Sequence, residues 1–136
     1  MKILGFTGTR STLTEIQLEN LEAAIKEKAG WQGLHGDCVG ADAIFDQLCN
    51  THGIPTRCRP CTFINLRAYT CEPLAEPANP MARNRAIVAD CVELFACPPN
   101  EVELKKGSGT WATIRYGKKA KKPVTIFFPS GRIEHV

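Results

Sequence analysis

Five short strand-like stretches, at 2–6, 31–35, 54–58, 92–96 and 124–128, of which the second is weaker and the third, with Pro55, suits a sheet edge, are separated by stretches whose apolar residues recur at helical spacing. No other feature restricts the fold so tightly. The run Ile3-Leu4-Gly5-Phe6 lacks polar alternation, which suits a strand covered on both faces of a parallel sheet. Parallel neighbours need a crossover of about a dozen residues or more, and the helix-patterned stretches supply it. Thr14-Glu15-Ile16-Gln17 is a capping box, followed by a stripe of Ile16, Leu18, Leu21, Ala24 and Ile25 that runs to about Ala29. Ala43-Ile44-Phe45, Leu48 and Cys49 begin a second helix ending near Gly53. Asn79 and Pro80 suit the N-cap and first position of a third, and a fourth is expected from Ser108 to Ala120, ahead of Pro123. Strands alternating with helices predict an α/β domain of three layers around a five-stranded parallel sheet, with 1–136 as one unit. Residues 60–79 are expected to form a long loop and 132–136 a tail.

Composition narrows the function. The net charge of +3 is mild, and much of it lies in Lys118, Lys119, Lys121 and Lys122, where a helix C-terminus favours cations. A nucleic-acid surface needs a broader basic face with aromatics, so nucleic acid is disfavoured as a partner. No stretch approaches the roughly 20 apolar residues of a membrane span, and Met1 to Phe6 is too short for a secretory signal. A cytoplasmic location without membrane contact is the expectation. The seven cysteines are an odd number, and Cys38, Cys49, Cys91 and Cys97 lie in or beside apolar runs as small hydrophobes. Cys58-Arg59-Pro60-Cys61 has Cys71 and His52 in range, but no second matched pair completes a zinc set. It ends a strand instead of opening a helix, unlike a thioredoxin-type motif. No metal and no cofactor is expected.

The chemistry is concentrated in loops. Gly107-Ser108-Gly109-Thr110 stands before Trp111 at a helix start, where unpaired N–H groups and small residues suit a phosphate. A flexible N-capped loop would have the same composition. Thr7-Gly8-Thr9-Arg10 follows the first strand with hydroxyls and one cation, and Gly36 to Asp42 follows the second, with Gly40 inside it. Asp37 and Asp42 are suited either to capping a helix or to meeting ribose hydroxyls and moving a proton near a sugar. Arg83 falls in the first turn of the third helix, against the helix dipole, which points to an anionic ligand or to an interhelical ion pair. Phe63, Arg67 and Tyr69 can stack on a base or anchor the long loop. In parallel sheets, ligands bind beyond the carboxyl ends of the strands, and these loops all fall there.

In sum, Gly5-Phe6-Thr7-Gly8-Thr9-Arg10, His35-Gly36-Asp37 through Gly40-Ala41-Asp42, Arg83-Asn84-Arg85 and Gly107-Ser108-Gly109-Thr110-Trp111 resemble the SLOG superfamily over roughly residues 2–129. This Rossmann-like group includes the Lonely Guy proteins and the DNA-processing protein A core. The resemblance implies a strand order of 3-2-1-4-5, a site for nucleotides or their derivatives, and a homodimer or larger assembly. Met81-Ala82-Arg83-Asn84-Arg85 looks like the Met-x-x-Arg-Lys segment of Lonely Guy phosphoribohydrolases. Their loop Glu corresponds to Thr113, and the Gly before the loop to Lys106, so the hydrolytic carboxylate is missing from its usual place.

The expected function is therefore binding of a nucleotide or nucleotide-derived ligand, as a sensor or sequestering protein. Gly8, Thr9, Arg10, Gly36, Gly40, Asn84, Gly107, Ser108, Gly109 and Thr110 are the candidate binding residues. The alternative is a hydrolase cleaving the N-glycosidic bond of a nucleoside monophosphate, with Asp37, Asp42 and Arg83 as the catalytic candidates. Single-stranded DNA binding is a third reading.

Overall fold

The computed structural model describes all 136 residues. Strand β1 (Ile3–Gly8) leads into α1 (Glu15–Lys26), then β2 (Gln32–His35), α2 (Ala41–Thr51) and β3 (Thr56–Cys58). A 3-10 turn at Ile64–Leu66 precedes α3 (Pro80–Asp90), β4 (Glu93–Cys97), α4 (Gly109–Lys119), β5 (Val124–Phe127) and β6 (Ile133–His135). The sheet runs β3-β2-β1-β4-β5-β6, parallel except for its last pair. The order 3-2-1-4-5 is as expected, but the sheet has six strands, and residues 132–136 are not a tail. Ser130 and Gly131 turn the chain back, and Arg132 to Val136 zip antiparallel onto β5. Three residues carrying charge on an exposed strand give too short and too polar a pattern to stand out.

Burial follows the two-residue period of the strands. Leu4 and Phe6 of β1, with Phe95 and Cys97 of β4, pack under α1 and α2 beside Leu21, Ile25 and Phe45. Leu94, Ala96 and Ile126 face the other way, under α3 and α4, beside Ile87, Trp111 and Ile114. Three layers result.

The helix signals are realised in detail. Thr14 and Gln17 form the reciprocal capping box, Asn79 Oδ1 accepts from Ala82 N–H at 2.9 Å with Pro80 behind it, and Ser108 caps α4. α2 departs from expectation: it starts at Ala41, two residues before Ala43, and its N-cap is Gly40 at φ 92° with no side-chain cap. Neither Asp37 nor Asp42 is the cap. A side chain at Gly40 would run into the Arg10 backbone, so this glycine lets the β2–α2 loop lie against the β1–α1 loop. The Ala41 N–H then donates to Thr9 O at 2.9 Å.

Residues 60–79 contain little regular structure but are tied down at several points. Isolated bridges join Cys38 to Arg67, Cys58 to Pro73 and Cys61 to Ala78. No helix is long and apolar enough to cross a membrane.

Candidate functional site

The switch in strand order at β1 sends the chain to opposite sides of the sheet, and the loops beyond the carboxyl ends of β1 and β4 part to leave a crevice. A cleft of about 260 Å³ opens there. Its walls are the 7–10 loop, Gly36, Cys38 and Asp42 from the β2–α2 region, Arg83 and Asn84 from α3, and Gly107 to Thr110 at the head of α4. Every candidate residue lines it except Asp37 and Gly40. The N–H groups of Gly109 and Thr110 have no acceptor in the chain, because Ser108 Oγ takes the Trp111 N–H at 3.2 Å. Arg10 is an exposed cation on the opposite loop.

Arg83 is the least ordinary group in the cleft. Only 5% exposed, its guanidinium donates to Gly36 O at 2.6 Å and Asn84 Oδ1 at 2.7 Å, with Nη2 3.5 Å from Cys38 Sγ. None of these acceptors is a carboxylate, so the interhelical ion pair is absent. Gly36 makes the arrangement possible, since a Cβ there would occupy the guanidinium's space. A buried cation satisfied only by neutral acceptors keeps its charge available to an incoming anion.

Asp42 sits in the first turn of α2, where Oδ2 accepts the Gly36 N–H at 3.2 Å and the Cys38 N–H at 3.1 Å. Burial pushes its pKa above the usual carboxylate value, against the opposing charges of His35 and Arg83 and these two N–H donors. Burial and the Asp42 charge likewise raise the Cys38 thiol, which the sequence reading left in the core. Its position between Gly36 and Gly40 was the available signal that it belongs to the cleft wall. Thr7, part of the loop singled out in the sequence, also lines the cleft, as does Pro99, which had no such signal.

Asp37 points elsewhere. Fully buried at φ 57°, it accepts from Arg67 Nε and Nη2 at 3.1 Å each through Oδ2, and from Thr70 N–H at 3.0 Å and Oγ1 at 3.2 Å through Oδ1. Aspartate tolerates this left-handed backbone better than most residues. The carboxylate therefore pins the 60–79 segment and leaves the cleft to Asp42. Arg67 also lies 4.2 Å over the Tyr69 ring, so both residues anchor the loop, whereas Phe63 is exposed. Thr113, at the position where the resemblance placed a catalytic Glu, turns its hydroxyl onto its own helix at Gly109 O, 2.8 Å away.

No protein-family model and no curated protein matches the chain. Solved structures do. The molybdenum cofactor binding protein of Rippkaea orientalis superposes with a TM-score of 0.71 at 22% identity, over 92% of this chain and 75% of that one. The molybdenum cofactor carrier protein of Chlamydomonas reinhardtii gives 0.68 at 22%, over 92% and 75%. DNA processing protein A of Streptococcus pneumoniae gives 0.69 at 16%, over 93% of this chain and 50% of that one. The fold is the one that these structures share. At these identities the likeness is one of fold, and this chain spans only half of the DNA-processing protein. Within this fold, the cleft lies where the strand order reverses.

Proposed function

We propose that the cleft binds a nucleotide or nucleotide-derived small molecule, as a sensor or sequestering protein. Its phosphate is held between the head of α4 and Arg83, with Thr9 and Arg10 closing the third side, Gly8, Gly36 and Gly40 shaping the wall, and Asn84 and Asp42 meeting the sugar. The observation that carries this reading is Arg83, a buried guanidinium with no carboxylate partner, lining the same cleft as the unpaired N–H groups of Gly109 and Thr110. Neighbours named for binding or carrying the molybdenum cofactor add support for a small-molecule cargo.

The test is a panel of nucleoside monophosphates, NAD, ADP-ribose and the molybdenum cofactor, read by thermal unfolding and by chromatography for released base. A ligand present at a hundred times its Kd stabilises by about 2.7 kcal/mol, or roughly 10 °C for a domain of this size. A rise of that order without turnover is expected. No shift with any member overturns the reading.

Asp42 favours a second reading. A desolvated carboxyl with a raised pKa lining a cleft can hold a proton for a departing base, which is the chemistry of an N-glycosidase. Base release that disappears in Asp42→Asn while ligand affinity persists supports it, and stabilisation with no base released removes it.

The raised pKa of Asp42 also has a sign. A carboxyl whose folded pKa exceeds its unfolded value of 3.8 supports folding fully below that pH, and this support is lost as the pH climbs through the folded pKa. Asp42→Asn keeps an oxygen for the two N–H donors and removes the titration. Urea midpoints measured from about pH 4 to about pH 8 should fall more steeply for the unmodified chain than for the variant. Parallel slopes refute the assignment.

A further inference from the structure

A second chemical cluster lies outside the cleft. Cys58 ends β3, and residues 71–74 run alongside it: Cys58 N–H donates to Glu72 O at 3.2 Å, and Leu74 N–H to Cys58 O at 2.7 Å. The Cys58 thiol donates to Cys71 O at 3.5 Å, and the Cys58 and Cys71 sulfurs lie within 4.8 Å of each other. His35 Nε2 stands 3.3 Å from Cys71 Sγ and 2.9 Å from Asp46 Oδ1. Cys58 is fully buried and Cys71 partly exposed.

These residue types can bind a metal, but their proton arrangement opposes it. The Asp37 N–H donates to His35 Nδ1 at 2.9 Å, so the neutral ring carries its proton on Nε2 and donates it to Asp46 Oδ1 at 2.9 Å. A ligating nitrogen must be unprotonated, and its partner nitrogen normally donates outward. Asp37, the carboxylate nearest both thiols, is already engaged by Arg67 and Thr70. Two adjacent sulfurs whose neighbouring imidazole and carboxylates are already engaged suit thiol–disulfide chemistry instead.

The geometry points to Cys58 and Cys71 as a reversible dithiol–disulfide pair, oxidised by exchange with a low-molecular-weight disulfide. Cys71 first gives its proton to solvent. Cys71, the accessible sulfur, attacks the small disulfide, forms a mixed disulfide and expels one small thiol. Cys58 then loses its proton and attacks the Cys71 sulfur, expelling the second. The protein gives up two electrons and two protons, and the small disulfide becomes two thiols. The new bond fastens the 60–79 segment covalently to β3. Cys61, the other half of the CxxC, takes no part: its thiol donates to Phe63 O, 3.7 Å away.

The test incubates the full chain with glutathione disulfide, alkylates it and digests it with trypsin. Because Arg59 precedes Pro60, cleavage yields peptides 58–67 and 68–83, which separate Cys58 and Cys61 from Cys71. The expected result is loss of two of the seven thiols and a linked pair of these peptides, unchanged in Cys61→Ser and absent in Cys71→Ser. In Cys58→Ser, a stable glutathione adduct on Cys71 should accumulate. If that variant does not fold, the unmodified chain and Cys61→Ser decide the matter alone. A bond closed within peptide 58–67, or retention of all seven thiols, overturns the proposal.

Discussion

Arg83→Met is expected to weaken binding of any phosphate-bearing ligand by on the order of 10- to 150-fold, the loss that follows removal of a charge-assisted hydrogen bond of about 1.5–3 kcal/mol. The stability cost should be much smaller. Gly36 O and Asn84 Oδ1 lose their donor, but both residues line the cleft, where water can replace it. The variant also no longer buries a cation without a carboxylate partner, and methionine fills most of the space left by the aliphatic stem. Isothermal titration with the tightest ligand of the panel, alongside urea unfolding, separates the two quantities. A variant that unfolds much more easily yet binds as tightly as its parent would mean that Arg83 is a fold residue.

Asp37→Ala should do the reverse. Its carboxylate is fully buried and accepts from Arg67 and Thr70 alone, so truncation strands a guanidinium that is only 14% exposed and removes the side-chain ties from residue 37 to the 60–79 segment. Breaking a buried pair by deleting one partner costs about 3–5 kcal/mol, a large part of the stability of a small domain. The urea midpoint should drop accordingly, and limited proteolysis should cut first within 60–79. Ligand affinity per folded molecule should change little, because Asp37 does not line the cleft. An unchanged midpoint would falsify the clamp.

These two residues also show what a sequence discloses. Arg83 was legible because a cation in a first helical turn works against the dipole, and so invites a reason. The glycine loops were legible because their positions after strands and before helices depend only on local pattern and on the rule for parallel sheets. Asp37 and Asp42 could not be told apart by spacing. They lie five residues apart in one loop-and-helix start, and what separates them is the left-handed backbone at 37, which swings one carboxylate toward Arg67, thirty residues on. A contact of that range leaves no periodic trace. For the same reason the neighbour of Cys58 was not legible: Cys58-x-x-Cys61 is conspicuous in sequence, while the sulfur beside Cys58 across the fold belongs to Cys71. β6 was lost because a strand of three residues gives periodicity nothing to count.

That short strand has a consequence for association. β5 is entirely buried, and left bare it would offer a row of unpaired N–H and C=O groups to any extended chain. β6 covers it antiparallel and presents in its place a three-residue strand flanked and filled by charge, with Arg132 lying 3.7 Å over the Phe128 ring and 3.0 Å from Glu134. At the opposite border, Glu72 and Leu74 take up the outward groups of Cys58. A border as short and charged as β6 offers an incoming strand few groups to pair with, which disfavours merging two copies into one continuous sheet. Assembly through the helical layers meets no such obstacle.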